Sequence, residues 1–333
     1  MPTILGEGIT KMTNLRRAIA SLILTTLIIV SGGTVASSQD HRPPNAAWYP
    51  KPCKVGQVCA ATVTATVPNQ ATLAVLTMIE NHGVGSVTKY MPKVTALGKR
   101  FGYGTNVFAI THPSKPNYLA TWSGSTQGET SNRFSTEDPK VPSLFDVVYA
   151  HGGKVKTYAQ SMGSDRCRLN NHSKYVFRHN PETQFTGTSA KRALCERYNF
   201  DGFDSRGYWK ADLKADKLGV LNHVLPDNDH NWHDGSAKQA DDWISARANE
   251  FIASQAYRAG GVMIITADED ERKGANDIPL IIIHRSLDGV HKKTDVKLTL
   301  YDVSTFLAEI AGVKTLAHTT PHKLAEAFGL QTS

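Results

Sequence analysis

Ser114 lies between two prolines in the run Ile110 to Gly124, I-T-H-P-S-K-P-N-Y-L-A-T-W-S-G. Asn106 to Ile110 ahead of it is apolar and rich in β-formers, which predicts a buried strand. Pro116 suits the first position of a helix carrying Asn117 to Ser123. Ser114 is then expected on a rigid strand-to-helix turn, beside the unpaired N–H groups and partial positive charge of a helix N-terminus, a place that suits a phosphate. A serine there can act as a nucleophile if something lowers its pKa, or it can simply cap the helix, and this stretch alone leaves both open. Two other segments end in oxygen donors. L-A-V-L-T-M-I (Leu73 to Ile79) runs into Glu80-Asn81-His82, and G-V-M-I-I-T (Gly261 to Thr266) runs into Ala267-Asp268-Glu269-Asp270. Neighbouring carboxylates repel unless a proton or cation sits between them. With Glu80 they make a hard, oxygen-rich set suited to a divalent metal, while an exposed acidic turn remains the plain alternative for Asp270 and Glu271.

The blocks H-P-S-K-P-N-Y and M-I-E-N-H (Met78 to His82), with several later ones in the same order over roughly residues 72 to 330, resemble the bacterial phosphoesterase family. That family includes secreted acid phosphatases and phospholipase C-type enzymes and belongs to the alkaline-phosphatase-like superfamily of metal-dependent hydrolases. The resemblance implies that Ser114 is a nucleophile that also contacts the metal and is transiently phosphorylated. It implies that Glu80, Asn81, Asp268 and Glu269 serve the metal; His112, two residues before Ser114, could serve as acid or phosphate ligand. Tyr175 to Pro181 (Y-V-F-R-H-N-P) carries His179, and P-D-N-D-H-N-W-H-D-G (Pro226 to Gly235) carries His233; both histidines match active-site positions. Asn117 could hydrogen-bond a phosphoryl oxygen or stabilise its own turn. Asp227, Asp229 and His230 do not align unambiguously, and a solvated Asn/Asp-rich turn is their alternative. Asp229 and His233, at i,i+4, would share a face if helical, but the local composition favours a loop. The chain departs from the family at His284, where a small residue before Pro is usual. It departs again at Thr299 to Asp302, T-L-Y-D, where many members carry a metal-facing His in a T-H-Y-S-type stretch. One or two ions therefore stay open, with His284 or His291 as replacement ligands.

The elements that must position these groups follow from the pattern. Leu73 to Ile79 reads as a strand buried on both faces, and in open α/β sheets ligands bind beyond strand C-termini. Pro92 to Phe101 reads as a short helix stopped by Gly102, and Ser143 to Ala150 as another stopped by Gly152-Gly153. Strands are expected at Lys154 to Gln160, Val220 to Leu225 and Ile278 to Ile283. A long helix is expected from Asp241 to about Ala256, with closing helices over residues 302 to 312 and 321 to 329. The Gly/Asp-punctuated insert Phe200 to Tyr208 carries no chemical reading.

Residues 12 to 36 have the order of a secretory signal: Arg16-Arg17, an apolar core from Ala18 to Val30, and small residues to a cleavage point after Ala36, with Met12 as an alternative start. The core is short for a membrane span, and no second stretch of spanning length follows, so export without stable membrane insertion is expected. Residues 37–71 read as an N-terminal arm and 72–333 as the phosphoesterase domain. Two domains remain an alternative for a chain of this length. Four cysteines in an exported chain fit two disulfides, of which the local pairs Cys53–Cys59 and Cys167–Cys195 are favoured over the other connectivities and over zinc, since no C-x-x-C pair exists. Of the net charge of +7, Lys11, Arg16, Arg17 and Glu7 lie in the leader. The remaining mild excess suits small anionic substrates, and its scatter argues against nucleic acid.

The expectation is an α/β/α sandwich around a mostly parallel sheet, alkaline-phosphatase-like. Its function is that of a secreted metal-dependent phosphoesterase, in the first place an acid phosphatase working on small phosphomonoesters through a phosphoserine. The alternatives are a phosphodiesterase or phospholipase C-type hydrolase, with residues 163 to 215 shaping the pocket, and a catalytically silent phosphate-binding scaffold.

Overall fold

Seven apolar residues, Leu73–Ile79, form the central strand β1, and the rest of the sheet is built outward from it. In this computed structural model the described residues are 69–133, 141–314, 317–318 and 320–332, all within one compact unit. The leader, nearly all of the N-terminal arm and the Cys53–Cys59 pair lie outside them. The further strands are β2 (Gly102–Gly104), β3 (Val107–Phe108), β4 (Val155–Ala159), β5 (Asn199–Asp201), β6 (Leu221–Leu225), β7 (Gly261–Ala267), β8 (Leu280–Ile283), β9 (Lys292–Thr294) and β10 (Leu298–Thr299). Eight of them make one sheet in the order β5-β4-β6-β1-β7-β8-β2-β9, and β3 and β10 pair separately. Every pairing in the large sheet is parallel except those of β8, which runs against both β7 and β2.

The helices are α1 (Val84–Tyr90), α2 (Pro92–Arg100), α3 (Ser114–Ser123), α4 (Leu144–Ala150), α5 (Ser189–Tyr198), α6 (Tyr208–Ala215), α7 (Ala237–Ile252), α8 (Gln255–Arg258), α9 (Leu300–Ile310) and α10 (Lys323–Phe328). Nine of them pack as two sets: α1, α2, α6, α7 and α8 form the first and α3, α4, α9 and α10 the second, while α5 packs on β4. This is the expected α/β/α sandwich, and burial explains it. A central strand such as β7 is apolar along its whole length because helices cover both of its faces.

Local details differ from the sequence reading for identifiable reasons. The strand expected over Asn106 to Ile110 shrinks to Val107–Phe108, because only these two residues meet β10. Beyond them the Ala109 amide goes to Asn276 O and the Ile110 amide to the Asn117 side chain, so the ladder stops. Helix α3 begins at Ser114, with Pro113 as its N-cap, so Pro116 stands in the first turn rather than opening it. A proline is tolerated there because the first turn's N–H groups have no intrahelical partner. The insert at Phe200 to Tyr208 extends the sheet edge through β5 and leads into α6. Cys167 and Cys195 form the expected disulfide, tying the loop after β4 to α5.

Candidate active site

Glu80 and Asp268 are the first residues beyond two adjacent parallel strands. The register pairs Ile79 with Ala267, so both carboxylates leave the sheet at one level. The Asp268 amide donates to Ile79 O (3.1 Å), and the Asn81 amide donates to Asp268 Oδ1 (2.9 Å). Asn81 takes a left-handed φ of 58°, a conformation Asn accepts more readily than most residues, which turns the chain back over the strand ends. The Glu80 amide donates to Asn231 O (2.9 Å), docking the loop that carries His233 onto the same strand end.

Ser114 is the first residue of α3, and its hydroxyl lies between two buried carboxylates, 2.7 Å from Glu80 Oε1 and 3.2 Å from Glu269 Oε1. His112 closes the other side of Glu269, with Nδ1 2.5 Å from Oε2 and Nε2 3.3 Å from Asp270 Oδ1. His179, buried in the short 3-10 turn Phe177–His179, places Nε2 3.0 Å from Glu80 Oε1. Tyr118 donates its hydroxyl to Glu80 Oε2 (3.0 Å). Ser114, His112, His179, Glu80, Asp268 and Glu269 thus come together from segments far apart in sequence.

Asn117 is placed differently. Its Oδ1 accepts from the Ile110 and Thr111 amides (3.0 and 3.1 Å), and its Nδ2 donates to the Thr111 and Pro113 carbonyls (2.7 and 3.4 Å). The whole side-chain amide is spent on the turn that presents Ser114, so of its two readings the structure supports the turn. His233 is partly exposed, 2.7 Å from Asp234, and close enough to His179 to act on it electrostatically. Asp227 pairs with Ser161 and His230, and Asp229 with Lys174, within a loop rather than a helix. His284 is removed from the site: β8 runs antiparallel, so its end lies beside Met263, near the start of β7, and the ring bonds Ser286 and Gln70 O. His291 bonds Lys99 O. Neither stands in for the missing histidine. Thr299 and Asp302 form a capping box at the start of α9, which is the structural use of T-L-Y-D. Lys115, beside Ser114 but buried, reaches Glu129 (2.8 Å) and Arg133 O (2.7 Å), fastening the following loop to α3.

Electrostatics set these groups apart. Burial alone would raise the Glu80 carboxyl, but the His179 ring and the Ser114 hydroxyl outweigh it and bring it down to about 2. Burial, followed by repulsion from Glu80 and Glu269, holds Asp268 well above the usual carboxylate range. Burial also pushes Glu269 up, with His112 pulling the other way. The Tyr118 phenol is raised by burial and by the Glu80 charge, so it stays a donor. Burial lowers His179, against the pull of Glu80.

Among the described residues no three His, Cys, Asp or Glu side chains already surround a common point as a finished metal cage does. The donor set nevertheless fits a hard cation. Asp268 Oδ2 is buried with no hydrogen-bond partner, and the Glu80 and Glu269 carboxyls lie close enough to raise the Asp268 carboxyl further.

Sequence reasoning missed Tyr118. Its place four residues after Ser114, one helical turn on, was the available sign.

A serine hydroxyl at a helix N-terminus, aimed between carboxylates at the C-terminal edge of a parallel sheet, suits a hydrolase of the phosphoryl-transfer type. The chain belongs to the Phosphoesterase family, whose model matches residues 87–273. It is a phosphoric ester hydrolase. A phosphatidylinositol-3-phosphatase of Mycobacterium tuberculosis is 24% identical over 269 residues, covering 80% of this chain and 85% of the relative. A probable acid phosphatase of Kluyveromyces lactis is 24% identical over 226 residues, 66% of this chain and 52% of that protein. In fold the chain is similar to the PsFucS1 sulfatase of Pseudoalteromonas sp., with a TM-score of 0.53 at 11% identity over 80% of this chain and 74% of the sulfatase. No helix among the described residues is long and apolar enough to cross a membrane.

Proposed function

We propose that the protein is a secreted, metal-dependent phosphomonoesterase that works through a phosphoserine at Ser114. The observation that carries this reading is the Ser114 hydroxyl, first in its helix and 2.7 Å from an ionised Glu80. The hydroxyl proton has carboxylate acceptors on two sides. The helix N-terminus offers positive potential to the phosphoryl oxygens. Ser114 Oγ forms a bond to phosphorus as the bond to the leaving oxygen breaks, and that oxygen takes up a proton. Water then attacks the phosphoserine, releasing phosphate and restoring the hydroxyl. His112, which holds Glu269, and His233, which is partly exposed, are the rings open to substrate. They are assigned to the leaving group and the phosphoryl oxygens, while buried His179 steadies Glu80.

Glu80, Asn81, Ser114, Asp268 and Glu269 would hold a divalent cation. Once bound, it would neutralise phosphate charge and lower the pKa of the serine. Monoesters are preferred over diesters because both curated relatives described above are named phosphatases. Export rests on the order of residues 12 to 36 and on the Cys167–Cys195 bond.

The test is turnover of a phosphomonoester and a phosphodiester side by side, with and without chelator, together with acid quench of labelled substrate to trap phosphoserine. Monoester turnover that chelation abolishes, with label retained on Ser114, is expected. Preference for the diester would move the function to a phosphodiesterase. Phosphate binding with no turnover of either ester, at any pH and with metal restored, would leave a silent scaffold.

A further inference from the structure

Tyr118 has no solvent exposure, and no step in the proposed reaction uses it. It is nevertheless joined both to Glu80 and to the histidine ring beside it. Its hydroxyl donates to Glu80 Oε2 at 3.0 Å. Its ring stacks on His179 with centroids 5.0 Å apart and planes 18° from parallel. His179 Nε2 in turn sits 3.0 Å from Glu80 Oε1, the same oxygen that accepts the Ser114 hydroxyl at 2.7 Å. Ser114 and Tyr118 are one turn apart on α3, so one helix face grips one carboxylate by both of its oxygens.

A carboxylate held at one oxygen alone can rotate about its last side-chain bond. One held at both cannot. Glu80 is the first residue beyond β1, and Tyr118 supplies the hold on the oxygen not taken by Ser114. From this we propose that Tyr118 is a positioning residue that fixes the plane of Glu80 and the ring of His179, and so sets the affinity of the site for a hard divalent cation. The inference rests on the reading of Glu80 as a cation ligand and names a residue which that reading does not include. Groups that hydrogen-bond to a metal ligand from behind are commonly worth about 10–100-fold in metal affinity.

The experiment measures Mn²⁺ binding to metal-stripped full-length protein, by the loss of the free-ion electron paramagnetic resonance signal, for wild type, Tyr118→Phe, Tyr118→Leu and Glu80→Gln. Phenylalanine keeps the ring and its stack on His179, so it removes the hydroxyl without opening a cavity. Thermal melts confirm that each variant is folded at the assay temperature. The expected result is roughly 10–100-fold weaker Mn²⁺ binding for Tyr118→Phe and a further loss for Tyr118→Leu. The variant's kcat at limiting Mn²⁺ should recover as the ion is raised, with KM for the ester unchanged. Mn²⁺ affinity for Tyr118→Phe within twofold of wild type, while Glu80→Gln loses binding, would overturn the role of Tyr118 alone. Wild-type Mn²⁺ affinity in Glu80→Gln would overturn the cation reading and this inference with it.

Discussion

Glu182→Gln should flatten the fall of stability with pH across the neutral range. Glu182 is buried in the 3-10 turn Pro181–Phe185, facing Tyr149 of α4. Its Oε1 lies 2.6 Å from the Tyr149 hydroxyl, and that hydroxyl also lies 2.9 Å from Val155 O. Tyr149 has a single proton for two acceptors. If the proton goes to Val155 O, the close contact to Glu182 is satisfied only when the acid carries a proton of its own and donates it to the phenol oxygen. Oε2 accepts from Asn199 Nδ2 at 2.5 Å. Burial raises the Glu182 pKa from 4.5 to about 8, and the hydrogen bonds pull it back only in part. The folded value exceeds the unfolded one, so the folded state keeps a proton that the unfolded state has lost. The stability conferred by the neutral acid is complete below pH 4.5 and declines through the neutral range until it is gone above about pH 8. Converted at about 1.4 kcal/mol per pH unit, the whole decline is roughly 5 kcal/mol at most. Glutamine mimics the neutral acid, its NH₂ donating to Tyr149 and its carbonyl accepting from Asn199, and it has no proton to lose. Urea unfolding of both proteins at several pH values between 4 and 9 measures the difference, in which the titration of the active site cancels. The variant should gain several kcal/mol on wild type as pH rises. Parallel curves would show that Glu182 is ionised when folded and refute the assignment of protons around Tyr149.

Ser114→Ala should fold normally and lose about 10³-fold or more in turnover, with no label retained after acid quench; wild-type turnover would remove Ser114 as nucleophile. Asn117→Ala should cost about 2–4 kcal/mol, since it strands the Ile110 and Thr111 amides together, and it should lower kcat at temperatures where the variant is folded. Denaturant melts with kinetics below the transition check both effects, and a loss of activity without a loss of stability would instead place Asn117 on the substrate. Replacing Cys167 and Cys195 by alanine opens a loop of 28 residues' separation and should cost roughly 3–4 kcal/mol by chain entropy, read from the unfolding midpoint.

Much of the site was legible because its groups sit where an apolar run stops. Leu73 to Ile79 and Gly261 to Thr266 announce buried strands by composition, and the acids that follow must lie at strand ends. What neither segment contains is the register that sets Ile79 beside Ala267, so the meeting of Glu80 and Asp268 belongs to the sheet and not to either stretch. Asn117 shows a second kind of gap. An amide early in a helix can turn back to its own loop or forward to a ligand, and its residue type is the same in both cases; only the path of Ile110 and Thr111, which brings two amides within reach of Oδ1, decides it. His284 shows a third. The run Ile278 to Ile283 reads alike in either direction, yet β8 lies against β7 in reverse, which carries the histidine after it to the end of the sheet away from Ser114. Strand direction is settled by the connection and not by the strand. Thr299-Leu-Tyr-Asp302 could have been read locally: a threonine with an acid three places on is a capping pattern, and it opens α9 as that pattern should. The segment that the resemblance pairs with a metal-facing histidine is here a helix start, so the cation reading proposed above rests on the cluster at β1, β7 and α3, where Glu80 accepts from Ser114 on one oxygen and from Tyr118 on the other.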